Sequence, residues 1–406
     1  MKQGNDKTSA PTRRKFLSTV AGSGAGLTLA GRARFARAAE RAPIKIGFLN
    51  SFSKAFGQYG KSAFDGMNLY FDQIGWQSAG RKIEIVKEDD EINPQVGLEK
   101  ARKLVESDKA QIICGPLYTP VGIAMLPYMA HVKTLWIVTG AGSVAASAAK
   151  MPYMFRTCWS TWQVAAPMGK YVYDHVAKAA VLISSDMNAG RDVIASFEKT
   201  FVPAGGKVIK EIYVAMGTND FSSYLTDIRS MNPPAVYAFF GGTDSVRFVK
   251  QFAEFGLKDK SRLIGFQSLL DNDTLPAEGD AALGALSSTV YTASLDTPEN
   301  RAFVAAYRKK YQVDPGIFAE VCYTTARIID DALRATGGDV EDKDKFAAVV
   351  AATKITAPSG PFRFDPTNHL AIENVYILRA DKIDGRMRNT VIETIADVRD
   401  PDSKGN

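Results

Sequence analysis

Apolar runs of strand length alternate with amphipathic helical stretches along nearly the whole chain, and that alternation restricts the fold more than any single motif. The first strand reads Ile44-Lys45-Ile46-Gly47-Phe48-Leu49. After a loop over 50–60, Phe64, Met67, Leu69, Tyr70 and Phe71 fall at helical spacing and predict a helix over 60–74. A strand at Ile83-Glu84-Ile85-Val86-Lys87 follows, then an acidic stretch over 88–91 and a helix opened by Asn93 as N-cap with Pro94 at its first position. Ala110-Gln111-Ile112-Ile113-Cys114 is the next strand, stopped by Gly115-Pro116. Helices over 121–131 and 164–175 and strands over 135–138 and 180–184 continue the rhythm. A second series repeats it, with helices over 192–201, 221–230 and 245–255 and strands over 207–214, 235–240 and 262–265. Strands separated by such helices predict an α/β fold with doubly wound, parallel sheets, one sheet for each half. A length of 406 residues is also more than one ordinary core accommodates. No low-complexity linker separates the halves, so short crossovers join them, the arrangement of a hinge over a cleft.

The net charge of +6 invites a nucleic-acid or anionic-membrane partner until its location is considered. Residues 1–38 hold eight basic residues against Asp6, a net of +7, which leaves −1 for the rest of the chain. The electrostatic case for nucleic acid therefore disappears. The leader reads Thr12-Arg13-Arg14-Lys15-Phe16-Leu17 ahead of an uncharged Ala-, Gly- and Leu-rich stretch over 18–31, the pattern of a twin-arginine export signal. Ala36-Arg37-Ala38 fits the small-x-small rule and predicts cleavage between Ala38 and Ala39. Arg32 stands where a lipoprotein would carry its Cys, so a free periplasmic protein is expected. No later segment approaches the roughly 18 uninterrupted apolar residues of a membrane span.

Several possible chemistries are absent from the residues. Gly22, Gly24 and Gly26 imitate a dinucleotide loop but lie in the leader and follow no strand. His131, His175 and His369 lack metal-ligand spacing, and there is no nucleophile elbow, phosphate loop or Cys-x-x-Cys pair. Neither a cofactor nor an enzymatic activity is expected. Cys114, Cys158 and Cys322 cannot make a disulfide framework; at most one pair could form, and buried free thiols are the simpler expectation. The acids over 88–91 are read as a solvated loop feeding a helix N-terminus.

In order and spacing the chain resembles the branched-chain amino-acid (Leu/Ile/Val) binding family of periplasmic receptors. The likeness rests on Ile44-Lys45-Ile46-Gly47, Gly66-Met67-Asn68-Leu69, Gly80-Arg81-Lys82-Ile83-Glu84, Glu88-Asp89-Asp90, Ala101-Arg102-Lys103-Leu104-Val105, Gly115-Pro116-Leu117 and Phe155-Arg156-Thr157. It resumes at Asn219-Asp220-Phe221-Ser222, over 316–326, and at Ser359-Gly360-Pro361-Phe362-Arg363-Phe364-Asp365. The resemblance implies a two-lobed type I binding protein with a multi-strand hinge. Lobe 1 would comprise 43–158 plus 290–358, and lobe 2 would comprise 159–289 plus 359–396. It implies a receptor that hands a small-molecule carboxylate to the membrane permease of an ABC importer and acts as a monomer.

Ligands in such proteins sit at the carboxyl ends of the strands, between the lobes. That rule selects Phe56 and Tyr59 after the first strand, and Leu117, Tyr118 and Thr119 after Cys114, where the family uses a small hydroxyl and backbone groups to hold a carboxylate. It also selects Gly140, Ala141, Gly142 and Ser143 after Val138, whose bare backbone amides can approach an anionic group, with a simple chain turn as the alternative. Trp159 and Trp162 on the crossover, and Asn188, Phe239 and Phe240 in the second half, complete the set, any of whose aromatics could instead be core. Amino-acid receptors of the family usually carry a Tyr where this chain has Ala189, and an acid where it has Gln267. An amide cannot neutralise a buried ammonium. The expectation is therefore a flat aromatic carboxylate, as in the aromatic-acid branch of the family, with an amino-acid or amide receptor as the alternative. An exported oxidoreductase or a signalling receptor is the alternative of another class.

Overall fold

The computed structural model describes residues 41–143 and 151–401; the leader, with its arginine pair and the Ala38–Ala39 junction, lies outside the described residues. Its α/β chain forms two lobes, each built on its own sheet. The first sheet runs in the order β2-β3-β1-β4-β5-β6. It contains β1 (Ile44–Asn50), β2 (Gln77–Ser78), β3 (Arg81–Asp89), β4 (Ile112–Cys114), β5 (Leu135–Val138) and β6 (Met154–Arg156). All its pairings are parallel except the short β2–β3 contact. Helices α1 (Gly57–Gln73), α2 (Pro94–Arg102) and α3 (Thr119–His131) connect these strands. The later helices α9 (Pro298–Tyr311), α10 (Ile317–Ala335) and α11 (Lys343–Ala351) complete the lobe. Gly66 explains how α10 reaches α1, because a Cβ at that position would lie 1.9 Å from the Ala319 carbonyl oxygen. No side chain larger than hydrogen fits that crossing.

The second sheet begins with a parallel core, β7 (Ala179–Ser185), β8 (Lys207–Val214), β9 (Ala235–Phe239), β10 (Arg262–Phe266) and β11 (Leu286–Thr289). The helices α4 (Thr161–His175), α5 (Asn188–Phe201), α6 (Ser222–Met231), α7 (Thr243–Glu254) and α8 (Leu275–Glu278) accompany it. An antiparallel extension follows, from β12 (Lys354–Ala357), β13 (Gly360–Phe364), β14 (Ala371–Ile383) and β15 (Arg386–Val398). The β14–β15 hairpin was not read from the sequence, because its outer strand is largely exposed and lacks a clean period of two.

The chain crosses between the sheets over 157–160, 290–297 and 352–353, three short connections. Beside them the two sheets touch: Arg156 makes an isolated bridge to Leu370, with its N–H donating to the His369 carbonyl at 3.0 Å. The first crossover ends in a capping box. Ser160 Oγ accepts from Gln163 N at 3.2 Å and Gln163 Oε1 accepts from Ser160 N at 2.7 Å, while Gln163 Nε2 donates to the carbonyls of Ala371 and Val398. One side chain thus starts α4 and holds it to both strands of the C-terminal hairpin.

Helices start earlier than the apolar period indicates. The helices expected from 60, 121, 164, 192 and 245 begin at Gly57, Thr119, Thr161, Asn188 and Thr243. The period registers only residues packed on the sheet, whereas the first turn of each helix overhangs the strand ends. Asn93 does cap α2, its side chain accepting from the N–H groups of Gln95 and Val96. The acids over 88–91 are more structural than expected: Asp90 is fully buried and accepts from Ser51 Oγ at 2.8 Å, and Asp89 accepts from the Phe52 N–H at 2.9 Å. All three cysteines are free and buried. Among the described residues no helix is long and apolar enough to cross a membrane.

Burial of carboxyl groups predicts a distinct pH dependence for this fold. On α10, Glu320 is 2% exposed, and burial pushes its carboxyl from 4.5 up to about 7, against the opposing bonds from Thr324 Oγ1 and Ser359 N. Burial likewise raises Glu278 to about 8 and Asp90 to about 6. A folded-state value above the unfolded one means the native state holds more protons, so stability is greatest below the unfolded value and falls as pH rises through the folded one. The unfolding temperature is expected to fall by a few degrees between about pH 5 and about pH 8, and Glu320→Gln to flatten part of that slope. A flat or rising profile in the wild-type protein, followed by circular dichroism, would contradict this.

Candidate ligand-binding site

Parallel strands followed by helices place every helix N-terminus at the same edge of a sheet. Here the first turns of α1, α3, α4, α5, α7 and α10 all contribute residues at or beside one cavity between the lobes. Its volume is about 70 Å³, several times the roughly 10–15 Å³ that a buried water needs and about half the roughly 150 Å³ of a cavity that takes up benzene.

One wall is a run of aromatic rings. Tyr118, Phe56, Tyr59, Phe318 and Trp159 follow one another with centroid separations of 6.0, 6.1, 4.8 and 5.7 Å. Facing them from the second lobe are Phe239 and Phe266, packed edge-on at 5.3 Å, with Met187 and Met216. Polar groups are few: Thr119 and Thr161 at helix starts, and Ser185, Asp244 and Ser268 from the second lobe. Among the described residues no Lys, Arg or His lines the space. Any anion held there relies on hydroxyls, backbone N–H groups and the positive ends of helices.

Among the described residues Asp244 is the one carboxylate on the lining, and it is already engaged. Its Oδ2 accepts from Gly217 N at 2.7 Å, and its Oδ1 pairs with Arg247 Nη1 at 3.1 Å. Tyr59 spans the two lobes. Its Oη donates to the Ser268 carbonyl at 3.0 Å and accepts from Gly242 N at 2.9 Å. Burial, then the nearby Asp271 charge, pushes the Tyr59 phenol well up, which keeps it a neutral donor. A second tie lies farther out, where Asp271 Oδ2 accepts from the N–H of Ile317, the first residue of α10, at 3.0 Å.

Of the residues selected from the sequence, Phe56, Tyr59, Leu117, Tyr118, Thr119, Gly140, Gly142 and Trp159 are brought together on this lining, as are Phe239 and Ala189. Six others are not on it: Ser143, which follows the lining residue Gly142, and five more whose neighbours in sequence are on it. Phe240 turns away into a cluster with Phe221 and Phe248, leaving Phe239 and Gly241 on the lining. Gln267 is buried, with Oε1 accepting from Thr289 Oγ1, while Phe266 and Ser268 face the cavity. Asn188 is exposed, flanked by the lining residues Met187 and Ala189. Trp162, the second residue of α4, packs on the core, and Thr161 takes the lining position. Ala141 is fully buried with its carbonyl turned to Arg156. The reason is common to all five: neighbouring residues at a strand end or in a helix's first turn point in different directions, so an error of one position exchanges lining for core. The ammonium argument from Gln267 changes with it, since the acid on the lining is Asp244. Phe318, Met216 and Asp244 were missed; Phe318 arrives from α10, in a stretch whose resemblance was noted without assigning it to the site.

A cavity at the strand ends, between two α/β lobes joined by three short crossovers, defines a solute receptor of the type I periplasmic architecture. The chain belongs to the periplasmic binding protein family, whose model matches residues 43–386, and it is a solute-binding protein rather than an enzyme. It is similar to the Leu/Ile/Val-binding protein homolog 6 of Brucella melitensis, 30% identical over 367 residues, covering 89% of this chain and 94% of that one. Among solved structures it resembles an ABC transporter substrate-binding protein from Sphaerobacter thermophilus, with 35% identity, a TM-score of 0.83, and coverage of 89% and 100% of the two chains. A solute-binding protein of an ABC transporter from Rhodopseudomonas palustris, solved with 3,4-dihydroxybenzoic acid, gives 31% identity, a TM-score of 0.84, and coverage of 88% and 99%.

Closure depends on a bare backbone at Gly242. A Cβ there would lie 2.0 Å from the Ala55 carbonyl oxygen of the opposite lobe. Gly242→Ala is expected to hold the lobes apart, giving a larger radius of gyration by small-angle X-ray scattering; a variant as compact as the wild type would show that closure needs no such contact.

Proposed function

We propose that this chain is an aromatic-acid receptor: exported by the twin-arginine route, cleaved between Ala38 and Ala39, it binds a small aromatic carboxylate as a monomer and delivers it to the permease of an ABC importer. The carrying observation is the cavity walled by aromatics from both lobes, with helix starts and hydroxyls around it and, among the described residues, no cationic side chain. A benzoate ring would lie against the aromatic walls, the lobes opening to admit it, and its carboxylate would be served by Thr119 and the first turns of α3 and α4. A ring hydroxyl would meet Ser185, Ser268 or Asp244 across the cavity. The Rhodopseudomonas relative, solved with a dihydroxybenzoic acid, supports this choice of ligand class. The bodies that close on it are 43–158 with 290–353, and 159–289 with 354–398, the boundary expected after 358 moving forward because β12 stands in the second sheet.

An amino-acid ligand is the second reading, because Asp244 offers an acid to an ammonium group. Its existing bonds to Gly217 and Arg247 weigh against that role.

The test is thermal unfolding of the chain from Ala39 with benzoates, hydroxycinnamates, branched-chain amino acids, short amides and dicarboxylates. A ligand at about 100 times its Kd adds roughly 2.7 kcal/mol, a rise of a few degrees. Stabilisation by an aromatic acid and not by leucine is expected; leucine alone would replace this reading with the second one. Thr119→Val should weaken the aromatic acid by about tenfold or more, the loss of one hydrogen bond to a charged group.

A further inference from the structure

Arg156 ends β6, at the hinge, and is fully buried. Among the described residues no carboxylate pairs with it. Its Nη2 donates to the carbonyls of Ala141 at 3.2 Å, Gly142 at 2.8 Å and Trp159 at 2.9 Å. Its Nε and Nη1 have no partner. Glu373 is buried near Cys158, where burial, reinforced by Glu320, pushes its carboxyl well up, and among the described residues no hydrogen bond or ion pair joins it to Arg156. A guanidinium does not give up its proton, and a buried charge without a counter-charge is costly.

The three carbonyls it gathers belong to segments that border the cavity at Gly142, Trp159 and Thr161. In a planar trans peptide the C=O and the next N–H point in opposite directions. Drawing the Ala141 and Gly142 oxygens onto Arg156 therefore turns the N–H groups of Gly142 and Ser143 away from it. The Ser160 N–H, following Trp159, is already taken by Gln163. A Cβ at Gly142 would lie 3.4 Å from Trp159 Nε1 and 3.5 Å from Thr161 N, so backbone and indole donors stand together at this point of the lining.

We propose that Arg156 is a positioning residue for the ligand's carboxylate: from behind the 140–142 loop it orients the backbone donors and supplies, across one peptide layer, the positive charge that the bound anion neutralises. A purely structural Arg would need only its three carbonyl bonds, and nothing would answer its charge. The proposal rests on the aromatic-carboxylate reading and adds that the site selects ionised over neutral ligands without a cation on its surface.

The experiment compares 4-hydroxybenzoate with neutral 4-hydroxybenzamide by calorimetry on wild type, Arg156→Gln and Arg156→Lys. A charge acting across one peptide layer predicts that Arg156→Gln weakens the acid by about 10- to 100-fold and the amide by less than about threefold, with Arg156→Lys recovering most of the difference. Equal loss of acid and amide, or Lys no better than Gln, overturns the proposal and leaves the functional reading intact. A wild type that binds no benzoate removes both. A measurement on wild type alone covers the case in which the variants do not fold. The carboxyl carbon of 13C-labelled benzoate should keep the shift of the ionised form to at least about one pH unit below the acid's free pKa, and protonation at the free value would refute the electrostatic role.

Discussion

The structure depends on a constraint of parallel sheets: consecutive strands point the same way, so every strand must be followed by a crossover whose helix begins at one common edge. Each of those helix starts carries backbone N–H groups that no preceding turn can satisfy. Two sheets set edge to edge across a hinge therefore confront two rows of such donors. In this chain the rows are separated by a cavity of about 70 Å³, and the small residues at the helix starts, Thr119, Thr161 and Ala189, let the backbone approach it. The polarity of the site is thus largely a property of the fold, and side chains modify it. The aromatic run from Tyr118 to Trp159 adds apolar walls without adding charge.

The hinge and the site share residues. The first crossover begins at Arg156 and ends at the Ser160–Gln163 capping box. Arg156 binds the carbonyls of the 141–142 loop, while Gln163 binds strands of the opposite sheet. Trp159, between them, lines the cavity. A rotation of the lobes about this segment cannot leave the loop geometry untouched, because the same four-residue connection fixes both. Tyr59 supplies the opposing end of the motion: its hydroxyl finds both a donor and an acceptor only when the second lobe is in contact. Buried and neutral, it loses both partners when the lobes separate.

The α/β alternation, the two sheets and the short crossovers were legible in the sequence because packing on a sheet imposes a visible apolar period. Loops were located correctly for the same reason, since Gly115-Pro116 and Gly140 interrupt that period. Individual lining residues were less legible. At Phe239 and Phe240 the sequence offers two identical side chains, and only the direction of the strand's last residue decides which one reaches the cavity. Asp244 carried no signal, because it lies in a helical first turn that the apolar period does not reach. Phe318 belongs to a helix distant in sequence from both Tyr59 and Trp159, the aromatics it joins, a long-range contact that periodicity does not encode. The C-terminal hairpin was invisible for the opposite reason: an edge strand with an exposed face satisfies its backbone without an apolar pattern.

A receptor that delivers its ligand must hold it without trapping it. A surface arginine forming a bidentate pair with a carboxylate would gain strength from short charged bonds in a desolvated cleft, and breaking them would dominate the rate of release. Partial charges on backbone donors are weaker individually and disperse as soon as the lobes move apart, because they belong to separate elements on both sides of the cavity. Placing the full charge of Arg156 behind a peptide layer keeps the sign of the field while denying the ligand direct contact with it. The absence of a cationic side chain from the described lining is then compatible with anion selectivity, and the strength of the grip is governed by closure, which Tyr59 and Gly242 set, more than by any one contact with the ligand.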